Sequence, residues 1–148
     1  NFLLTMQRLL QERDALSVVS DEIGAPTWAA TIARTTAEMV RKRSAGEAGP
    51  SGLYHLTASG ETSWYGFACS IAEQLRQQGL LRAEITPIQS KDYPTAAQRP
   101  LNSRLNCSRL QSDWGIRLPD WETALHECLA QSHRFGTTNA PQAAAAGR

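Results

Sequence analysis

Apolar residues recur every three to four positions in five stretches of the chain, and small or polar residues separate these stretches. This spacing places the apolar side chains of each stretch on one face of a helix. Thr62 or Ser63 suits a helix start, Asp120 falls in a first turn, and Gly79 and Gly115 suit helix ends. We therefore predict helices over about residues 2–13, 28–43, 64–78, 107–114 and 120–133.

The second predicted helix presents Trp28, Ile32, Met39 and Val40 on one face, which we expect to pack against the rest of the protein. Thr27 comes just before this helix, and its hydroxyl is of the kind that caps a helix N-terminus. Basic residues fill the last turn, where positive charge is favourable beside the carbonyl end of the helix dipole.

Three short runs between the helices have the character of strands, at residues 16–19, 52–56 and 85–88. Pro87 lacks a backbone donor, so the third run suits an edge strand. Strands that alternate with helices indicate an α/β fold. Residues 21–26 are predicted to form a turn, residues 89–106 a long irregular loop, and residues 134–148 a disordered tail.

The composition excludes several classes of function. With 148 residues, 41% of them hydrophobic and 20% charged, the chain suits a folded domain. A net charge of +1 gives no global reason to expect nucleic acid as a partner. No apolar run approaches the roughly 20 residues that cross a bilayer. Three cysteines without a C-x-x-C motif fit a reducing compartment, the cytoplasm.

The loop that follows the third strand is the most suggestive candidate site. It carries Lys91, Tyr93, Arg99, Asn102 and Arg104. Arginine binds phosphate oxygens in a bidentate manner, and an amide can bind sugar hydroxyls, so the loop suits a phosphorylated or nucleotidyl ligand. An ordinary solvated loop has the same composition, and chemistry alone does not separate the two. No histidine and cysteine set has the spacing of a metal site.

Six specific strings follow one another along roughly residues 1–129. They are Asn1-Phe2 with Met6-x-Arg8-Leu9, Asp21-Glu22-Ile23-Gly24-Ala25-Pro26-Thr27, Gly52-Leu53-Tyr54-His55-Leu56, Gly60-x-Thr62-Ser63-Trp64-Tyr65, Tyr93-Pro94-Thr95-x-Ala97-x-Arg99-Pro100-x-Asn102-Ser103-Arg104, and Leu118-Pro119-Asp120-Trp121. In this order they resemble the dTDP-4-dehydrorhamnose reductases, a family of extended short-chain dehydrogenase/reductases, and the most specific string surrounds Arg99.

The resemblance implies the C-terminal, substrate-binding part of a Rossmann-fold reductase. Such enzymes bind NADPH in an N-terminal Rossmann domain and reduce dTDP-4-dehydro-L-rhamnose to dTDP-L-rhamnose for cell-surface polysaccharides. This sequence has no glycine-rich strand-to-helix turn and no Y-x-x-x-K motif, and it begins inside a helix. We therefore expect the Rossmann core to be missing and the chain to be inactive alone. Residues 1–60 would complete the Rossmann domain and border the cleft, and residues 61–133 would form the small substrate domain.

The resemblance also suggests substrate-binding residues. Arg99 matches a position that contacts the diphosphate in related enzymes, with Asn102 and Arg104 as its loop partners. Asn1 and the turn that includes Pro26, Thr27 and Trp28 are expected to border the cleft. No catalytic, cofactor-binding or metal-binding residue is assigned.

The resemblance leaves partners and a second function open. Some family members are associated with Mg²⁺ at a dimer contact, so a homodimer is one assembly that the resemblance allows. The sequence shows no acidic pair that we assign to Mg²⁺. The family also resembles the regulatory subunit of methionine adenosyltransferase. The alternative is thus a non-catalytic subunit that binds nucleotide sugars or regulates another protein.

Overall fold

The fold is α/β, as predicted. A computed structural model describes residues 1–93, 95, 97 and 99–136, with only the backbone at residues 132–136. The predicted tail lies outside the described residues except for residues 134–136, which are helical. The elements are α1 (Phe2–Glu12), β1 (Ala15–Val19), β2 (Ile23–Gly24), α2 (Ala29–Ser44), β3 (Thr62–Ser63), α3 (Trp64–Gln77), β4 (Glu84–Ile88), a 3-10 turn (Ser90–Asp92), α4 (Ser108–Trp114) and α5 (Trp121–Gly136).

The strands β1 and β4 pair in parallel, from Ala15 opposite Glu84 to Val19 opposite Ile88. Both strands therefore end at the same edge of this two-stranded sheet. The segments that follow them, which carry residues 20–28 and 89–106, leave from that edge. The prediction of an edge strand containing Pro87 is confirmed, since β4 has a neighbour on one side only within the described residues.

The helix α3 lies at the centre of the main hydrophobic core, which we call the α3 core. The Ser63 hydroxyl accepts a hydrogen bond from the Gly66 N–H and caps this helix, as predicted. Its buried face matches the predicted apolar face. α1, β1 and α5 contribute the other walls, so elements from both predicted domains share this core. Its buried residues are Met6, Leu10, Val18, Phe67, Ala68, Ile71, Ala72, Leu75, Ala83, Leu125 and Leu129.

The helix α2 buries only part of the predicted apolar face. Met39 packs on a hydrophobic cluster and Trp28 is partly buried, whereas Ile32 is 39% exposed and Val40 is 61% exposed, and Thr31 and Thr35 are buried instead. The apolar pattern was sufficient to predict the helix. It does not indicate whether another part of the protein covers each apolar residue. We call the exposed apolar row the α2 face. It consists of Ala29, Ile32, Ala33, Ala37 and Val40.

Three local predictions about the neighbours of α2 are wrong. Trp28, not Thr27, is the N-cap residue of α2, because the Thr27 hydroxyl donates to the Ala25 carbonyl and accepts from the Ala58 N–H. The predicted turn at residues 21–26 contains β2, which pairs with β3. Residues 52–56 form no strand, since no strand lies beside them in the described part of the chain. Leu53 in this segment is 80% exposed.

A smaller hydrophobic cluster joins α4 to α2 and to residues 48–56. Leu110 and Trp114 of α4 form its centre, with Met39 and Tyr54 packed against them. Gly115 closes α4 in the left-handed conformation (φ 65°), as predicted from its position. The cluster holds the inner side of α2 and leaves the α2 face uncovered within the described structure.

Candidate functional site

The loop that carries Arg99 is fastened at its first end to Asp21. The Asp21 carboxylate accepts hydrogen bonds from the Ser90 N–H (2.8 Å) and the Ser90 hydroxyl (2.9 Å). Partial desolvation raises the pKa of Asp21. The hydrogen bonds from Ser90 and the nearby charge of Lys91 together lower it by more, so the pKa of Asp21 lies below its usual value. Asp21 is therefore an ionised anchor near neutral pH.

The second end of the loop is fastened to Ile23. The Ile23 N–H donates to the Leu101 carbonyl (2.8 Å), and the Ser103 N–H donates to the Ile23 carbonyl (2.8 Å). The Ser103 hydroxyl donates to the same carbonyl (3.0 Å). A methyl group added at Gly24 would lie 2.6 Å from the Ser103 Oγ, so the Ser103 hydroxyl would have to rotate away from its present position. Both ends of the loop thus meet the residues on either side of Glu22.

A cleft of about 450 Å³, which we call the main cleft, lies between α1, the end of β1 and this loop. Its volume is within the ~300–1,000 Å³ typical of ligand sites. α1 and β1 give it a largely apolar floor, and Arg99 is the only cation among its described lining residues. The lining residues are Phe2, Thr5, Met6, Leu9, Ser17, Val18, Val19, Glu22, Trp64, Tyr93, Thr95 and Arg99.

A smaller cavity of about 140 Å³, the side cavity, lies where β2 meets β3. Glu22 and Trp64 line both cavities, and the Trp64 Nε1–H donates to the Glu22 Oε2 at 3.0 Å. The Trp64 ring packs on Phe2, with ring centroids 4.7 Å apart. The other residues that line the side cavity are Gly24, Ala25, Pro26, Thr62, Ser63 and Ser103.

Two of the predicted site residues line these cavities. Arg99 lies in the main cleft, and Pro26 lies in the side cavity. Arg99 makes no ion pair within the described structure, so its charge is available to a ligand. The predicted roles of both residues remain predictions, but the structure brings them to one continuous surface.

The other predicted site residues make contacts inside the protein. The Asn102 Oδ1 accepts from the backbone N–H and the Nε–H of Arg104, and Arg104 also forms an ion pair with Glu61 at 2.9 Å. Asn1 caps α1 by accepting from the Leu4 N–H. These contacts hold the loop and helix in place, and none of these residues lines either cavity.

The last two predicted residues belong to the start of α2. Thr27 bridges two backbone groups, as described above, and Trp28 lies under the Arg34 guanidinium, 5.2 Å from the ring centroid. Arg34 in turn pairs with Glu127 of α5 at 3.0 Å. Both residues therefore connect α2 to its neighbours, and neither lines the two cavities.

The sequence interpretation missed Glu22 and Trp64, the two residues shared by both cavities. Glu22 lies in a segment that we interpreted as a turn, and Trp64 was counted only as part of an apolar helix face. Their pairing joins positions 42 residues apart, so no local pattern indicates it.

The described residues do not fit a dinucleotide cofactor or a metal ion. A dinucleotide needs a glycine-rich turn between a strand and a helix N-terminus, and the segment from β1 to α2 contains another strand and a proline instead. Among the described residues, no group of three His, Cys, Asp or Glu side chains could hold a metal ion. No described helix is long and apolar enough to span a membrane.

Comparison with known proteins confirms the resemblance. A dTDP-4-dehydrorhamnose reductase from Burkholderia thailandensis is 44% identical over 137 residues, which make up 87% of this chain and 46% of that protein. A crystal structure of a dTDP-4-dehydrorhamnose reductase from Clostridium acetobutylicum matches with a TM-score of 0.77 at 30% identity, over 90% of this chain and 44% of that one. This chain spans about half the length of the curated relatives it matches.

A third relative adds a cofactor to the comparison. The crystal structure of dTDP-4-dehydrorhamnose reductase from Bacillus anthracis in complex with NADP matches with a TM-score of 0.73 at 29% identity, over 88% of this chain and 43% of that one. A family model described as the RmlD substrate binding domain matches residues 1–134. The chain therefore belongs to the RmlD substrate-binding domain family.

Proposed function

We propose that this chain is the C-terminal, substrate-binding part of a dTDP-4-dehydrorhamnose reductase. In the complete enzyme it would hold dTDP-4-dehydro-L-rhamnose while NADPH, bound by the other half, reduces the 4-keto group to give dTDP-L-rhamnose for polysaccharide synthesis. The chain alone would bind the nucleotide sugar without reducing it. The three cysteines form no disulfide among the described residues, which is compatible with a cytoplasmic enzyme.

The main cleft is the observation that carries this proposal. Its apolar floor suits a nucleobase, and the aromatic rings of Trp64 and Tyr93 line its walls. Arg99 supplies the positive charge that a diphosphate requires, and its guanidinium can bind phosphate oxygens in a bidentate manner. One apolar region and one cation in the same cleft match the two ends of a nucleoside diphosphate.

The α2 face supports the proposal that the cofactor-binding half packs on residues 1–60. Its exposed Ile32 and Val40 lie on a helix whose own contacts bury two threonines. The N–H groups of residues 53–57 make no backbone hydrogen bond in the described part of the chain. A strand from the other half can pair with this segment while its sheet covers the α2 face.

Calorimetric titration of the chain with dTDP-L-rhamnose tests the proposed function. We expect saturable binding, and Arg99→Ala should weaken it at least tenfold because a charge-assisted contact to phosphate is lost. Arg8→Ala is the matched control, since Arg8 is an exposed arginine of α1 outside both cavities. Absence of binding by the folded chain would contradict a substrate site within it.

A second experiment separates the reductase from the alternative of a non-catalytic subunit. The chain is mixed with the cofactor-binding half of the Burkholderia relative, and NADPH oxidation is followed with dTDP-4-dehydro-L-rhamnose. Restored turnover supports the reductase. Ligand binding without restored turnover in a stable mixture of the two halves favours the non-catalytic subunit.

A further inference from the structure

Glu22 and Trp64 lie where the main cleft and the side cavity meet. These are the only residues common to the described linings of the two cavities. A ligand that extends from one cavity into the other would therefore lie against this pair. The proposed function uses the Trp64 ring as a wall of the main cleft but assigns no role to Glu22 or to the pairing of the two residues.

The structure holds this pair in a defined position. The backbone on either side of Glu22 is fixed by the hydrogen bonds from Asp21 to Ser90 and between Ile23 and the far end of the loop. The Trp64 indole is packed on Phe2 and donates to one oxygen of the Glu22 carboxylate. The other oxygen, Oε1, accepts no hydrogen bond within the described residues, so it can accept one from a ligand.

The two charged residues that line the cavities, Glu22 and Arg99, favour different parts of a ligand. Glu22 is the only carboxylate and Arg99 the only cation among the described lining residues of both cavities. A diphosphate at Arg99 is attracted there and repelled by Glu22. The part of a nucleotide sugar that suits a contact with Glu22 is therefore not the diphosphate but a neutral group with hydrogen-bond donors, such as the sugar.

The side cavity suits a single sugar ring. Its volume of about 140 Å³ is many times the ~10–15 Å³ that one water molecule needs, but it is far smaller than the main cleft. Hydroxyl groups of Thr62, Ser63 and Ser103 line it, together with the apolar ring of Pro26. Such a surface offers partners both for sugar hydroxyls and for the C–H faces of the ring.

We infer that Glu22 accepts a hydrogen bond from a hydroxyl of the sugar in the side cavity, and that Trp64 is the positioning residue that orients its carboxylate. This inference rests on the proposed function and deepens it, because it names the residue that distinguishes the nucleotide sugar from the bare nucleotide. A site that pairs with a ligand hydroxyl discriminates strongly against ligands that lack it.

Titrations with dTDP and dTDP-L-rhamnose test this inference. The measured quantity is the Kd for dTDP divided by the Kd for dTDP-L-rhamnose. This ratio rises with the affinity that the sugar adds. Glu22→Gln retains an oxygen that can accept from Trp64 but removes the charge, so we expect the ratio to fall at least fivefold while the Kd for dTDP stays within twofold. Trp64→Phe retains a ring on Phe2 but removes the donor, and should lower the ratio by a smaller factor.

Glu73→Gln is the matched control. It removes the same charge as Glu22→Gln, but Glu73 lies on α3 and lines neither cavity. It should leave both Kd values unchanged. An unchanged ratio in Glu22→Gln, or an equal loss of affinity for both ligands, overturns the inference while the proposed function stands. Failure of the folded wild-type chain to bind dTDP would instead overturn the proposed function, and this inference with it.

Discussion

The helices α2 and α3 are similar in length but bury opposite kinds of residue. α3 buries five apolar side chains in the α3 core. α2 buries two threonines and exposes Ile32 and Val40. The comparison shows that a helix can be well formed when its apolar face has no cover, because its other side still packs on neighbours. Burial, not helicity, indicates which parts of this fold are complete within the described chain.

The largest expected effect on stability comes from truncating a buried side chain of α3. Ile71→Ala removes a side chain that is fully buried in the α3 core, and should lower the free energy of unfolding by about 2–5 kcal/mol. Val40→Ala truncates an exposed residue of α2 and should change it by less than about 0.5 kcal/mol. Urea unfolding of both variants measures this difference. Equal losses would show that α2 is as tightly packed as α3.

An intermediate effect is expected when the α2 face is made polar. Ile32→Lys together with Val40→Lys should leave the stability of the chain alone nearly unchanged, because both positions are exposed. The same pair should weaken association with the cofactor-binding half at least tenfold, about 1.4 kcal/mol, because lysines would be buried in an apolar interface. Light scattering or calorimetry of the mixture measures this association.

Glu38→Lys is the control for the α2 face, since it lies two residues from Val40 and therefore on the opposite side of the helix. It should leave the association intact. If the Ile32 and Val40 substitutions have no effect on association, the α2 face is not the contact surface for the other half.

The smallest effect concerns the anchor at Asp21. Because the pKa of this carboxyl is lowered in the folded protein, its stabilisation is present above the usual value of 3.8 and is lost as pH falls through the lower folded value. Asp21→Asn should therefore be less stable than wild type at neutral pH. The difference should shrink as the pH falls below 3.8 in urea unfolding followed as a function of pH.

Asp92→Asn is the control for this pH dependence. It makes the same charge change on the adjacent 3-10 turn, and within the described structure Asp92 makes no side-chain hydrogen bond. A difference for Asp21→Asn that stays constant down to pH 2 would show that the anchor does not depend on ionisation.

Local signals in the sequence were enough to predict most elements of the fold. The apolar spacing of α3, the Ser63 cap and the Gly115 stop each depend on a few neighbouring residues, and all were confirmed. The failures depend on distant partners. A strand at residues 52–56 needs a neighbouring strand, and β2 was missed because its two residues pair with β3, about 40 residues further along the chain.

The candidate site divides in the same way. Arg99 could be chosen from sequence because the string around it resembles the family, and the cations of the long irregular loop alone would not have singled it out. Glu22 could not, because its importance comes from contacts with Trp64 and from the loop ends on either side of it. Asn1 and Asn102 were chosen as ligand contacts, but their side chains accept backbone hydrogen bonds, a role that short polar residues often have.

The attachment of the loop at Asp21 and Ile23 has a consequence for how this fold can diverge. When both ends of a loop are tied to adjacent residues, the cost of closing it rises slowly with length, by only about 0.6 kcal/mol for each doubling. Insertions and deletions within residues 91–100 can therefore accumulate without moving the two attachment points. Loop closure alone therefore does not require the specific family string around Arg99.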